Sequence, residues 1–416
     1  MDINNRKVVI TGMGIVSCLG DNVDDFWTNL LNGKSGIDYL KQVATEGYSC
    51  KIGGEVWNFE PSKFIETKKV KRLARFSQFA IAASKEAIKS SELDLSKTDS
   101  DSMGVLIGTG SGGLPETEKE NNLMFSKDKN TVSPFYVPKM LPNMASSNIS
   151  ILFGLRGYSN TISTACAAGT QAIGEAYEVI KRGDAEIMLA GGTEAPFCQT
   201  SLGGFCNMQA LTSQNDNPKN ASKPFDKNRD GFVPSEGSGI LIIESEENAR
   251  KRGKKPLAEL TGYSATSDAF HLVKPHSEGI GAAKAMQKAL DKANLKPHLV
   301  DYINAHGTST PINDKLETVA IKKVFKENAK SIKISSTKSM IGHSSGASGA
   351  MEAIACIKSI QEQKIHPTIN LINKDEDCDL DYTPNEAQEL QINHVLSNSF
   401  GFGGQNACLI LSQYEQ

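Results

Sequence analysis

Apolar residues in this chain fall into short runs separated by helical patterns. Lys7-Val8-Val9-Ile10-Thr11-Gly12-Met13-Gly14 reads as a strand closing in a glycine turn. Asp24 to Leu31 and Phe76 to Lys89 carry apolar and small residues at helical intervals. Met103 to Ile107 is a buried-strand run, followed by the loop Gly108-Thr109-Gly110-Ser111-Gly112-Gly113. Ile187-Met188-Leu189-Ala190 is another such run, and Ala407 to Leu411 makes a final strand. Strands alternating with helices predict an α/β fold whose sheets are covered by helices.

Two stretches echo one another. Thr161-Ile162-Ser163-Thr164-Ala165-Cys166 leads into a helix through Ile180-Lys181-Arg182-Gly183. Ile334-Ser335-Ser336-Thr337-Lys338 leads through a glycine-rich turn into a helix from about Ala350 to Gln363. The echo predicts two similar halves, 1–255 and 256–416, joined by the charged surface connector Arg250-Lys251-Arg252-Gly253-Lys254-Lys255-Pro256. Residues 212–238 lack periodicity and read either as a functional segment or as a surface excursion.

A length of 416 residues exceeds the usual single-domain size, in keeping with two α/β halves. The formal net charge of −3 argues against a general nucleic-acid binder and leaves any basic patch local. Arg6-Lys7 passes directly into Val8-Val9-Ile10 without the longer apolar region of a signal peptide. The longest apolar runs, such as Gly239-Ile240-Leu241-Ile242-Ile243, are strand-sized rather than membrane-spanning. The expectation is a soluble cytoplasmic protein, or one of an organelle stroma or matrix after loss of a transit peptide. None of the eight cysteines shows C-x-x-C spacing, which argues against zinc and thioredoxin-type chemistry. Their default is a reduced core residue.

Cys166 departs from that default. It lies in Ser163-Thr164-Ala165-Cys166-Ala167-Ala168-Gly169, between a predicted strand and a helix start. There the helix dipole and the free N–H groups of the first turn favour thiolate, so a depressed pKa is expected. His306 lies in Asn304-Ala305-His306-Gly307-Thr308-Ser309-Thr310-Pro311, and His343 in Gly342-His343-Ser344-Ser345-Gly346. Both sit among glycines and hydroxyls at strand ends, where α/β folds place active sites. His271, His276, His298, His366 and His394 have no such setting. Near the C-terminus, Asn398-Ser399-Phe400-Gly401-Phe402-Gly403-Gly404-Gln405-Asn406 alternates glycines that permit unusual backbone angles. It reads as a tight turn whose N–H groups, turned inward, would form half of an oxyanion hole. Lys68, Lys69, Lys71, Arg72 and Arg75 form a basic run, with positions 68, 72 and 75 expected on one helical face.

These motifs, taken in order with Val9-Ile10-Thr11-Gly12-Met13-Gly14, Pro224-Phe225-Asp226, Arg229-Asp230-Gly231-Phe232-Val233 and Ser336-Thr337-Lys338-Ser339, identify a resemblance. Nearly end to end, the chain resembles the beta-ketoacyl-acyl-carrier-protein synthases of the thiolase-like superfamily, in particular their type II elongating members. The resemblance implies a thiolase-like fold, two similar α/β halves in a layered α-β-α-β-α architecture. It implies a decarboxylating condensing enzyme that elongates fatty acyl chains. Cys166 would carry the acyl chain, while His306 and His343 bind the malonyl thioester carbonyl. Lys338 would order His343, and Glu352 would pair in the same network. The N–H groups of Cys166 and Phe402 would form the oxyanion hole, with Phe402 gating the acyl pocket. Thr308 and Thr310 would hold the phosphopantetheine arm, and Ser111, Phe205 and Phe400 would contact substrate. Lys68, Lys69, Lys71 and Arg72 would dock an acidic acyl carrier protein. No metal or cofactor is expected beyond the carrier's phosphopantetheine, and no nucleic acid or membrane. A homodimer is expected, with residues 135–165 at its interface.

Four positions depart from the family pattern. Ser111 replaces a bulky aliphatic residue, Gln209 an arginine, Ser235 a glycine and Gln405 a threonine. Rival readings are a polyketide ketosynthase, a non-enzymatic ketosynthase partner subunit, a thiolase and a cysteine hydrolase. Cys166 argues against the partner subunit. Phe402, where a thiolase carries a second cysteine, argues against a thiolase. A hydrolase would not explain a second histidine and Lys338.

Overall fold

The aliphatic runs become ten strands of one mixed sheet in a computed structural model that describes residues 6–126 and 131–415. The first half supplies β1 (Val8–Val16), β2 (Met103–Gly108), β3 (Ser159–Ile162), β4 (Ile187–Glu194) and β5 (Gly237–Ser245). The second supplies β6 (Ala258–Ser267), β7 (Tyr302–Asn304), β8 (Lys333–Ser335), β9 (His394–Gly401) and β10 (Gln405–Ser412). The spatial order is β8-β7-β9-β10-β6-β1-β5-β4-β2-β3. From its outer edge inward, each half arranges its own strands as third, second, fourth, fifth, first. The outer strands of each half pair in parallel and the inner ones antiparallel. The halves join edge to edge where Val9 pairs with Glu259 and Ile10 with Ala258. The internal echo is thus a repeat of topology.

Helices complete the layers. α1 (Arg75–Ser91) covers β1 and β5. Among the helices that follow are α2 (Leu114–Ser126), α3 (Ala168–Arg182), α4 (Gln199–Asn207), α5 (Ile280–Lys292), α6 (Pro311–Phe325) and α7 (Ser348–Glu362). α5 covers β6 and β10, while α3 and α7 touch strands of both halves and fill the middle layer. This is the expected α-β-α-β-α stack. α7 is buried almost all round, which its Ala, Ile, Met and Cys content allows. β4 and β5 are buried along their whole length, and each contains an uninterrupted apolar stretch, Ile187 to Ala190 and Ile240 to Ile243.

Three expectations change. Residues 212–238 are not a surface excursion: Phe225, Asp226, Phe232, Val233, Ser235 and Glu236 are buried. Bridges from Leu211 to Phe232 and from Pro234 to His343 stitch this segment into the core. The connector is partly helical, over Glu246–Lys251, and Arg252 ion-pairs with buried Glu244. Lys68 and Arg75 do not share a helical face, because the single turn Thr67–Val70 ends before α1 begins, behind an extended Ala74. Arg75 is spent on buried Glu236, at 2.8 Å, so its role is structural.

Candidate active site

Cys166 occupies a tight turn, Ala165–Ala167, between β3 and α3. Ala165 adopts φ 50, a left-handed conformation uncommon outside glycine, which marks a strained turn held by its surroundings. The end of β9 lies hard against it. A Cβ on Gly401 would stand 2.8 Å from the Thr164 carbonyl and 3.2 Å from the Cys166 nitrogen, so only glycine permits the approach. This contact brings the backbone N–H groups of Phe402 and Cys166 to the sulfur. The thiol nevertheless titrates higher than expected. Burial pushes it up to about 11, outweighing the Lys338 charge and the two N–H groups that pull it down. A helix start favours thiolate, but desolvation disfavours any charged form and is the larger effect here. The resting site therefore holds a thiol.

His306 follows β7, and His343 follows the short helix Lys338–Ile341. The fold brings the Cys166 sulfur and one ring nitrogen of each histidine within 4.8 Å of one another. The two imidazoles stand nearly perpendicular, with centroids 5.3 Å apart. The His306 loop is held by Glu317 of α6, whose carboxylate accepts the N–H groups of His306 and Gly307, both at 2.8 Å. Burial pushes the Glu317 carboxyl up to about 7 against those hydrogen bonds. The His343 backbone is clamped by Val233 and Ser235, with its N–H donating at 2.7 Å and its carbonyl accepting at 3.0 Å.

Lys338 is buried and ion-paired with equally buried Glu352. Its Nζ lies 3.4 Å from His306 Nδ1, and its charge also acts on His343. An ammonium offers only donors, so His306 Nδ1 accepts and the proton sits on Nε2. His343 Nδ1 is met by Ser348, whose Oγ lies 2.9 Å away. A hydroxyl donating there leaves the His343 proton on Nε2 as well. Burial, reinforced by the Lys338 charge, holds both histidines well below their usual pKa. Two neutral imidazoles thus stand beside the thiol as hydrogen-bond donors.

Two cavities converge on Cys166. One, of about 320 Å³, is lined mainly by apolar groups including Phe197, Leu202, Phe205, Met208 and Phe232, with Ser111 on its wall. The other, of about 340 Å³, is lined by Thr308, Thr310, Lys274, Phe400 and His306. Cys166, His343 and Phe402 border both. The Thr308 and Thr310 hydroxyls are 2.9 Å apart, and the Phe400 ring stands edge-on to His306 at 5.7 Å. Ser111 Oγ donates at 2.5 Å to buried Glu194, which also takes the N–H groups of Gly110 at 2.7 Å and Gly346 at 3.0 Å. As donor types, a thiol and two imidazoles would suit zinc. Cavities on two sides suit a nucleophile better, because they leave room at the sulfur for an acyl chain and for an incoming thioester.

Comparison with known proteins decides the family. Residues 5–249 match the beta-ketoacyl synthase N-terminal domain, and residues 257–372 the C-terminal domain. The chain belongs to the beta-ketoacyl synthase family. It is 47% identical over 411 residues to 3-oxoacyl-acyl-carrier-protein synthase 2 of Staphylococcus aureus strain COL, covering 99% of each protein. It is 45% identical over 414 residues to the Synechocystis protein of that name, covering 100% of both. A solved ketosynthase, bound to a hexaketide and in complex with its type II PKS acyl-carrier protein, superposes with a TM-score of 0.91 at 36% identity. That match covers 99% of this chain and 100% of the other.

In this beta-ketoacyl synthase the other singled-out residues lie as follows. Lys68, Lys69, Lys71 and Arg72 are exposed, with Arg72 over the Phe135 ring at 5.1 Å and Lys69 near Glu66 at 3.3 Å. Gln209 lines the cavity that holds Thr308 and Thr310, and buried Ser235 donates to the Gly54 carbonyl at 2.9 Å. Cys408 is buried within β10, away from the thiolase position. Glu317, Ser348 and Glu194 carry no local motif that marks them in the sequence. Glu194 binds residues far along the chain, whereas Ser348 and Glu317 act on nearby residues through side-chain directions that only the fold sets. Among the described residues, no helix is long and apolar enough to cross a membrane.

Proposed function

We propose that this chain is a 3-oxoacyl-acyl-carrier-protein synthase that elongates fatty acyl chains by two carbons. The observation that carries the reading is the meeting of two cavities at one thiol beside two neutral imidazoles. In the first step Cys166 attacks the acyl thioester. The oxyanion is met by the N–H groups of Cys166 and Phe402, and the thiol proton leaves with the departing phosphopantetheine thiol. The acyl chain then fills the apolar cavity. In the second step, malonyl-carrier protein enters through the Thr308 and Thr310 side, and its thioester carbonyl accepts hydrogen bonds from Nε2 of His306 and His343. Loss of carbon dioxide leaves an enolate whose oxygen those donors stabilise. Its carbon attacks the acyl-Cys166 carbonyl, and the released Cys166 thiolate takes up one proton. The labour divides between the halves, with the nucleophile from 1–255 and both histidines from 256–416.

The remaining expectations follow from this chemistry. No metal enters either step. Lys68, Lys69, Lys71 and Arg72 offer exposed positive charge to an acidic carrier protein. A homodimer through residues 135–165 is supported by exposed Val137 and Ile151, and by β3, which pairs on one side alone. A carrier-protein substrate places the enzyme in the cytosol or an organelle matrix. The 36% identity to a ketosynthase bound to a hexaketide keeps polyketide extension as the second reading. The test is product analysis with acyl- and malonyl-carrier protein, with and without chelator. A single two-carbon extension per turnover, unaffected by chelator, supports the proposal. Repeated extension to a polyketone favours the second reading, and no product refutes both.

A further inference from the structure

The apolar cavity is lined by Leu114 of α2 with Ser111 just ahead of it, and by Leu202 and Phe205 of α4. α4 begins without a cap of its own, since Cys198 precedes it in extended conformation and its side chain accepts no capping hydrogen bond. The first N–H groups of α4 turn to another helix. Those of Gln199 and Thr200 donate to the two carboxylate oxygens of Glu118, at 3.0 and 2.5 Å. Glu118 lies on α2, one turn beyond Leu114. A carboxylate that takes two free N–H groups at the positive end of a helix dipole makes a strong, directional tie. Partial burial raises the Glu118 pKa, but the hydrogen bonds from Thr200, Gln199 and Cys198 hold its carboxyl below the usual range. It is therefore ionised at neutral pH. α2 is itself fixed from behind. Gly113 N–H donates to the Met140 carbonyl at 3.2 Å, and Glu116 faces Lys139 at 3.7 Å.

We propose that Glu118 is a positioning residue for acyl selectivity: it clamps α4 to α2 and so fixes the width of the cavity that receives the acyl chain. The proposal rests on the condensing reading above and adds a determinant of chain preference lying outside the cavity. Without the clamp, α4 swings away from α2, and chains that the fixed wall rejects gain access to Cys166.

The experiment uses the full chain as wild type, Glu118→Ala and Glu118→Gln. Acylation of Cys166 is followed by intact mass with carrier proteins bearing saturated chains from butyryl to palmitoyl. Decarboxylation of malonyl-carrier protein, which does not fill the apolar cavity, is measured in parallel. A methylene-sized change in an apolar pocket alters discrimination about tenfold. Glu118→Ala should therefore compress the ratio between best and worst chains by about that factor while decarboxylation stays unchanged. Glu118→Gln, which keeps one acceptor oxygen, should fall between. A chain profile identical to wild type overturns the clamp. So does a parallel fall in both activities, which would make Glu118 a general structural residue. Wild type that no chain acylates would overturn the condensing reading and the clamp together.

Discussion

Lys338→Met tests the buried network most sharply. Lys338 and Glu352 are 1% and 0% exposed, and Glu352 Oε2 has no hydrogen-bond partner. The ammonium is thus the main compensation for a carboxylate in the middle layer. Removing it strands that charge, at a cost of about 3–5 kcal/mol. Burial already raises the Glu352 pKa, with Lys338 opposing the rise, so the variant carries a larger rise. The sign follows from proton linkage. The folded variant binds a proton at Glu352 more tightly than the unfolded chain does. Its stability is therefore greatest below the ordinary glutamate pKa and falls as pH climbs through the raised folded value. Thermal unfolding at about pH 5 and about pH 8 should show the deficit widening with pH. Lys338→Met/Glu352→Gln should recover most of the loss, because exchanging both partners removes the stranded charge. A single variant as stable as wild type at both pH values, or a double variant no better than the single, would refute this reasoning.

Other consequences are open to direct test. Both histidines are held well below the usual value of 6.5, so condensation should keep its rate as pH falls past that point, and Lys338→Met should shift the acid limb upward. An acid limb at the ordinary histidine pKa would mean the imidazoles are not desolvated as described. Alkylation of Cys166 by iodoacetamide should keep accelerating toward pH of about 11, and a plateau near neutral pH would show a resting thiolate. Gly401→Ala puts a methyl 2.8 Å from the Thr164 carbonyl, which should cost about 1–3 kcal/mol by overpacking and slow acylation of Cys166. Wild-type melting and acylation would show slack in that contact. Ile151→Asp places a charge on a side chain 77% exposed in the single chain, and should shift a homodimer to monomer in sedimentation.

Much of the fold was legible because period and punctuation are local. The strand–turn–helix around Cys166 and its counterpart around Lys338 could be read directly, and they are equivalent parts of two halves with one strand order. His306 and His343 stood out through their glycine and hydroxyl neighbours. What stayed hidden depends on side-chain contacts that only the folded chain makes. Glu317 reaches back to the His306 loop from α6, and Ser348 orients His343 from the start of α7. Lys338 lies close in sequence to His343, yet its long side chain reaches His306. The thiol pKa departs from the expectation for a related reason, since a helix start is visible in sequence and desolvation in the folded site is not. The basic run broke into a turn and a helix start because extended Ala74 interrupts it.

The measurement that tests the central claim most directly is intact-protein mass spectrometry of the enzyme mixed first with acyl-carrier proteins and then with malonyl-carrier protein, beside Cys166→Ala. The account predicts an acyl adduct mapped to Cys166, absent from the variant, that disappears on malonyl addition as a product two carbons longer forms. Wild type that never acquires an adduct at Cys166, or an adduct that malonyl-carrier protein leaves in place, would contradict it.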